Sequence, residues 1–321
     1  MNHNVAVLIP CLNEEASILK TISDVRGVLP KSLILVIDNG STDSTAELAV
    51  RAGATVLFEP QKGKGFAVRK GFDNIPFDTD AIFMVDGDGT YGVESLLEAI
   101  DKVVSQGFDM VIGVRRVTPG EDRIAGGEFR VGHALGNRML TFTFNKLFGV
   151  PITDTLSGWR VLSPGFVNSF PGGASEFEIE AELNSHVYTL KCAISEVTVK
   201  YESRVEGSES KLRTYRDGIK ILKKNLLLYR SEKPTTAFTL MALPWLLTGT
   251  LLSSRVLGDY LETQLVPKFP SLIASIGAFI IGSNLWVTGM ILERVRLQRV
   301  ALARIAYRES TRKLRSWIPT S

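Results

Sequence analysis

The sequence predicts an α/β domain with a mostly parallel sheet, followed by a hairpin of two transmembrane helices. Three observations point there. Between Val5 and Val114, short apolar runs rich in β-branched residues alternate with stretches of helical length, the rhythm of parallel strands joined by crossover helices. Three of those runs end in polar clusters: Pro10-Cys11-Leu12-Asn13-Glu14, Asp38-Asn39-Gly40-Ser41-Thr42-Asp43 and Asp86-Gly87-Asp88. Ligands of such sheets collect at the carboxyl ends of the strands. After Ser231 the composition breaks, and two long apolar stretches follow.

Taken in order, VAVLIP, SLILVID, ATVLFE, AIFMVDGD and DMVIGV read as strands. The helices between them are expected at about 15–29, 42–52, 65–72 and 93–105. Residues 115–132, rich in glycine and charge, are expected to form a mobile loop beside the site, with a helix over 133–149. The N-terminus enters its first apolar run without a basic region or a small-residue cleavage site, so it reads as a strand and not as a signal peptide.

The whole chain, 321 residues, has room for one large core or for a domain of about 200 residues with an appendage. Its 37 basic residues are balanced by 34 acidic ones. A net charge of +3 is no nucleic-acid footprint. Cys11 and Cys192, without metal-ligand spacing, fit a reducing compartment.

The stretches at about 235–257 and 270–292 each reach the ~20 residues that span a bilayer, and only Arg255 interrupts them with a charge. The bland alternative is a pair of buried core helices. Length, pairing and charge asymmetry favour the membrane: Lys220, Lys223, Lys224, Arg230 and Lys233 precede the first stretch, and eight Arg or Lys residues follow the second. Arg255, near the end of the first stretch, and Lys268 are the only basic residues from there to the second, which places both termini and the domain before the spans in the cytoplasm, with a short external hairpin. The chain then divides into residues 1–213, a basic amphipathic helix at 214–233, the spans and their loop at 234–293, and a basic tail at 294–321. Gly277, Ala278, Gly282 and Ser283 in the second span permit close helix packing and a homo-oligomer.

Asp86 and Asp88 emerge from an apolar strand as two hard oxygen ligands. They suit Mg²⁺ or Mn²⁺ bridged to a diphosphate, where the metal neutralises a leaving group. An acidic surface turn would look the same in isolation. Asp38, at the end of its strand, is placed to accept hydrogen bonds from a nucleobase or ribose. Ser41, Thr42 or Asp43 is expected as the N-cap of the next helix. Lys62-Gly63-Lys64-Gly65 offers close backbone approach and positive charge to a diphosphate.

These motifs, in this order and spacing, resemble the family 2 glycosyltransferases of the Rossmann-like GT-A fold. Asp154-Thr155-Leu156-Ser157-Gly158-Trp159-Arg160, Phe177-Glu178-Ile179-Glu180, and Tyr201-Glu202-Ser203-Arg204 leading to Ser210-Lys211-Leu212 narrow the resemblance. They are similar to the dolichol-phosphate mannose synthases and the bacterial polyisoprenyl-phosphate glucosyltransferases. By that resemblance Pro10, Asn13, Glu14 and Asp38 hold the nucleoside, Asp86 the ribose or sugar side, and Asp88 the metal, with Lys62 and Lys64 near the donor. Arg115 and Arg130 resemble positions that grip the acceptor phosphate, and Arg204 and Lys211 resemble residues that close over the phosphates. The implied reaction is an inverting transfer from a nucleoside diphosphate sugar, UDP-glucose first and GDP-mannose second, to a polyisoprenyl phosphate in an integral membrane enzyme of the inner or plasma membrane.

Asp154 is the candidate base or orienting carboxylate, with the alternative that it accepts hydrogen bonds from Arg160 or a helix start. Glu178 and Glu180 share a face if that segment is extended, and organise the wall of the site. Two departures from the family stand out. Asn39 replaces a frequent second Asp, and Gly89-Thr90-Tyr91-Gly92 replaces a Gln and a His-Pro pair, leaving the third metal ligand unassigned. A processive polysaccharide synthase would carry QxxRW and more spans, a nucleotidyltransferase a Gly-rich first loop, and a silent nucleotide-sugar sensor no need of Asp86 and Asp88.

Overall fold

The computed structural model describes residues 3–116, 141–142, 144–146, 148–149, 152–173, 179–202, 223, 226–227 and 229–316. Two compact units emerge, one of Met1–Asn225 with Leu302–Ser321, the other of Leu226–Ala301.

The first unit is built on β1 (Val5–Cys11), β2 (Leu33–Asp38), β3 (Thr55–Phe58), β4 (Ala81–Met84), β5 (Met110–Arg116), β6 (Arg160–Leu162) and β7 (Ile194–Lys200). They form one seven-stranded sheet in the order β3-β2-β1-β4-β6-β5-β7, with β6 alone antiparallel to its neighbours. Helices α1 (Ile18–Val28), α2 (Thr45–Arg51), α3 (Lys64–Phe72) and α4 (Leu96–Val104) connect the strands, and α5 (Pro164–Ser169) and α6 (Ile179–Leu190) lie between β6 and β7. Every residue of β1 is buried, as expected of a central parallel strand covered on both faces. Each large apolar side chain removed from water there contributes about 1.5–3 kcal/mol.

The expected strands and helices are present, with three adjustments. Strand β5 continues through Arg115 and Arg116, because both pair with β7. They belong to the sheet and not to the expected loop. The N-cap of α2 is Ser44, not Ser41, Thr42 or Asp43. Glu180 lies in the first turn of α6, so the segment is helical there and not extended. Of the helix expected at 133–149, residues 141–142, 144–146 and 148 are helical, and the Asn145 amide bonds both backbone groups of Ile152. Arg130, Glu178, Arg204 and Lys211, and all of the amphipathic stretch at 214–231 except residues 223, 226–227 and 229–231, lie outside the described residues.

Close packing explains two glycines. A Cβ on Gly113 would enter the ring of the fully buried Trp159, and one on Gly158 would collide with the Asp86 carboxylate. Trp159 also packs edge-on against Phe83 and donates from its indole N–H to the Gly92 carbonyl at 3.1 Å. Helix α5 starts with Ser163 accepting the Phe166 N–H at 3.1 Å and Pro164 in its first turn, a favourable start on both counts.

At the opposite edge of the sheet from the strand carboxyl ends, buried Asp109 gathers Ser163 Oγ at 3.0 Å, the Ala193 N–H at 3.2 Å and the Tyr307 hydroxyl at 2.7 Å. Tyr307 thereby ties its own helical segment into the first unit.

The second unit holds α7 (Pro234–Thr263) and the part of α8 (Phe269–Ser316) up to Ala301, and both helices are long and apolar enough to cross a membrane. At 1.5 Å per residue, the 30 residues of α7 reach about 45 Å. Only 17% and 22% of their apolar windows are buried, which is too little for core helices of a soluble domain. Gly249 sits against Phe279, Gly282 against Leu246 and Gly289 against Phe238, so small residues bring the two helices together. Of the four expected small residues, Ala278 and Gly282 are buried, while Gly277 has open space around its Cα. Buried Glu232 pairs with Arg299 at 3.2 Å and with Arg296 at 3.7 Å.

His186 of α6 lies between the rings of Phe166 and Phe170 and shares a 2.9 Å hydrogen bond with Ser169. Burial lowers its pKa to about 4, against 6.5 for the free side chain. The folded chain therefore keeps it neutral where the unfolded chain protonates it. Stability is fully present above pH 6.5 and falls by about 3 kcal/mol as pH drops to about 4. Thermal unfolding in detergent between these pH values is expected to show a flatter pH dependence for His186→Gln than for the wild type; parallel curves would refute the assignment.

Candidate active site

The parallel strands bring their carboxyl ends to one edge. In the β1–β2 register Cys11 stands opposite Asp38, and in the β1–β4 register Leu8 stands opposite Met84. The loops carrying Asn13, Asp38 and Asp86 are therefore neighbours.

Side-chain bonds staple the first two loops together. Asn13, in the left-handed region at φ 52°, accepts the Thr42 N–H at 2.7 Å, while its own N–H donates to Ser41 Oγ at 2.9 Å. The Glu14 N–H donates to Thr45 Oγ1 at 2.8 Å, and Glu15 accepts the Ser44 N–H at 3.0 Å. Asp43 accepts both the N–H and the hydroxyl of Thr45 and the Glu15 N–H; burial pushes its carboxyl up, and these bonds together outweigh it and hold the carboxyl below the ordinary range. Buried Asp38 accepts the Ser41 N–H at 3.1 Å through Oδ1.

Asn39 accounts for its own departure from the family pattern. Its amide donates to the carbonyls of Glu59 at 3.2 Å and Gln61 at 2.7 Å, and its Oδ1 accepts the Gly63 N–H at 2.6 Å. A carboxylate could accept but could not donate. This clamp shapes the loop that carries exposed Lys62.

Lys64, at the start of α3, bridges two carboxylates: its Nζ lies 2.6 Å from Asp86 Oδ1 and 2.6 Å from Glu180 Oε1. Burial alone would discharge it, but the two carboxylates outweigh that penalty and raise its pKa above the ordinary lysine range. Buried Asp88 accepts the Thr90 hydroxyl at 2.7 Å and the Thr90 N–H at 3.2 Å. Behind this turn, Ser17 and Thr21 of α1 donate to the Gly87 carbonyl at 2.8 and 3.3 Å, and Lys20 donates to the Gly89 carbonyl at 3.2 Å.

A second charged pair stands near Tyr91 and Tyr201. The guanidinium of Arg115 reaches Asp154 with two bonds, Nε to Oδ2 at 2.6 Å and Nη2 to Oδ1 at 2.7 Å, and lies over the Tyr201 ring. Asp154 thus meets Arg115, whereas Arg160, one of the alternative partners named for it, is fully buried elsewhere. Arg160 donates to Asn184 Oδ1 at 2.6 Å and to the carbonyls of Ser157 and Thr155 at 3.0 and 3.3 Å. The Tyr91 hydroxyl accepts the Gly158 N–H at 3.0 Å, and burial pushes its pKa up. Among the described residues no three His, Cys, Asp or Glu side chains converge as a closed metal cage. Asp86 and Asp88 flank Gly87 on one short turn after β4, and carboxylates are the donors that Mg²⁺ or Mn²⁺ accepts when phosphate and water complete the shell.

The glycosyl transferase family 2 model matches residues 6–161, which carry Asn13, Asp38, Lys64, Asp86, Asp88, Arg115 and Asp154. Glycosyltransferase AglJ of Haloferax volcanii is 34% identical over 229 residues, 71% of this chain and 72% of the relative. The chain belongs to glycosyl transferase family 2. Protein RfbJ of Shigella flexneri is 48% identical over 113 residues, 35% of this chain and 86% of that protein. A dolichyl-phosphate hexose transferase of Haloferax volcanii is 27% identical over 218 residues, 68% of this chain and 90% of the relative. Among solved structures, glucosyl-3-phosphoglycerate synthase from Mycobacterium tuberculosis, in complex with Mn²⁺ and UDP-glucose, superposes with a TM-score of 0.56 at 20% identity, over 72% of this chain and 79% of that one. The fold is accordingly GT-A, and the protein is a glycosyltransferase.

Two features of this glycosyltransferase escape a motif-based reading. The α1 brace uses hydroxyls at positions 17 and 21, one helical turn apart, so its only signal is a pair of small polar residues on an otherwise apolar face. Tyr91 falls in the segment where the family pattern is lost. For the Asn39 clamp, Asn39→Asp removes both donated bonds and sets a carboxylate against two carbonyls. A loss of about 1–3 kcal/mol is expected, measured by thermal unfolding in detergent; unchanged stability would show that the 59–63 loop does not depend on the amide.

Proposed function

We propose that the protein transfers a hexose from a nucleoside diphosphate sugar to a polyisoprenyl phosphate at the membrane surface. The observation that carries this reading is the coexistence, in one chain, of a carboxylate edge of the family 2 type with two apolar helices of bilayer length. The similarity to a dolichyl-phosphate hexose transferase supports the lipid acceptor. The donor favoured is UDP-glucose, with GDP-mannose as the second reading. The positive-inside asymmetry favours a cytoplasmic catalytic domain with both termini on the same side.

In this reading Pro10, Asn13, Glu14 and Asp38 cradle the nucleoside, with Asp38 retaining Oδ2 as an acceptor. Lys62 and Lys64 lie by the diphosphate. Asp88, with Asp86 beside it, would hold Mg²⁺ or Mn²⁺, which supplies charge neutralisation for the departing nucleoside diphosphate. The acceptor phosphate, whose second pKa is about 6, is largely ionised at neutral pH and attacks the anomeric carbon in line, so a strong base is unnecessary. Asp154 has both oxygens engaged by Arg115. Its role is to fix the guanidinium that presents a planar fork to the acceptor phosphate, not to take a proton. Arg130, Arg204 and Lys211 are proposed to complete the phosphate contacts.

The test is transfer of labelled sugar from UDP- and GDP-sugars to a polyisoprenyl phosphate in detergent with Mn²⁺ or Mg²⁺. Chloroform-soluble label from one donor is expected, reduced about 10²–10³-fold in Asp88→Asn and about 10- to 100-fold in Asp154→Asn. Label reaching a different acceptor class, or none, would refute the proposal. Near wild-type turnover in Asp154→Asn would remove that residue from the mechanism.

A further inference from the structure

Lys64 sits in a charge arrangement that phosphate binding alone would not require. Its side chain, 12% exposed, is shared between Asp86 Oδ1 and Glu180 Oε1 at 2.6 Å each. Glu180, itself 3% exposed, has a second oxygen, Oε2, that is buried without a hydrogen-bond partner. A buried acceptor of this kind is costly to leave unmet.

We propose that Lys64 is an exchangeable counter-cation for the divalent metal of the donor complex, and that Glu180 is the place to which it withdraws. The inference rests on the reading of Asp86 and Asp88 as the metal edge. Asp86 cannot offer the same oxygen to an ammonium at 2.6 Å and to a divalent ion without setting two cations side by side. The ammonium gives up Asp86 and turns fully onto Glu180, where Oε2 is the waiting acceptor. Both partners stand on first turns, Lys64 of α3 and Glu180 of α6, so the rotation of one flexible side chain is sufficient. No backbone movement is needed.

The arrangement makes bare metal a weak ligand and metal with nucleoside diphosphate a strong one. Diphosphate oxygens compensate for displacing the ammonium, so metal and nucleotide bind with positive coupling. Glu180 becomes a positioning residue that influences metal affinity without ligating the metal.

The experiment is Mn²⁺ binding to the full-length protein in detergent, read from the electron paramagnetic resonance signal of free Mn²⁺, with and without UDP. Lys64→Gln is expected to bind Mn²⁺ alone about tenfold more tightly than wild type and to lose most of the enhancement by UDP. Lys64→Arg, which keeps the charge, is expected to stay weak. Glu180→Gln is expected to bind Mn²⁺ alone less tightly, because the ammonium is left on Asp86. Unchanged or weaker Mn²⁺ binding in Lys64→Gln, with binding still abolished by Asp88→Asn, would overturn the exchange and leave the metal edge standing. If Lys64→Gln does not fold, Glu180→Gln decides: unchanged or tighter binding overturns the proposal. Wild-type protein that binds no Mn²⁺ even with UDP would overturn the metal edge and the exchange with it.

Discussion

Carboxylates at the carboxyl edge of a parallel sheet must be met by cations or donors, since a half-buried charge without a partner is more costly than most single contacts in a fold. That constraint orders this active edge. Asp38 is met by a backbone N–H, Asp88 by Thr90, Asp86 and Glu180 by Lys64, and Asp154 by Arg115. The cations come from distant parts of the chain. Lys64 follows β3 and meets Glu180 in the first turn of α6, and Arg115 lies near the end of β5, so satisfying these charges also fixes how the segments meet. The glycines follow from the same demand, because Gly158 leaves the room that the Asp86 carboxylate occupies.

The fold was legible because its signal is repetitive. Buried parallel strands are continuous apolar runs, and the helices between them are long enough to show their period, so β1 to β5 and α1 to α4 fall where the pattern puts them. The antiparallel insertion of β6 was not legible: Arg160–Leu162 is three residues long, and its register with β4 and β5 is set by Trp159 and Gly113 filling one space. Boundaries were lost where side chains compete with backbone. The Ser41–Asp43 segment looks like a helix cap, but its groups are drawn to Asn13 and Glu15 across the loop, which delays the helix to Thr45.

The site was legible as residue types and not as pairings. Asp86, Asp88, Lys64, Arg115 and Asp154 all stand out as motif members. That Arg115 holds Asp154, and that Lys64 joins Asp86 to Glu180, are contacts across 39, 22 and 116 positions. No local spacing records such contacts. Arg160 illustrates the converse. It belongs to the same short motif as Asp154, yet its donors are taken by Asn184 and by backbone carbonyls in the core, because a fully buried guanidinium must satisfy its own donors first.

This division bears on how such an edge performs transfer chemistry. In the proposed reaction the nucleophile arrives already ionised and needs no strong base, so the carboxylates can serve another purpose: keeping cations in place until phosphates arrive. Arginine held bidentately by Asp154 loses little further freedom when it meets a phosphate, and a lysine held between two carboxylates stays charged in spite of burial. In the proposed transfer, a guanidinium positioned in this way meets the acceptor phosphate without reorganisation at the moment of reaction, which is where electrostatic catalysis gains most of its advantage.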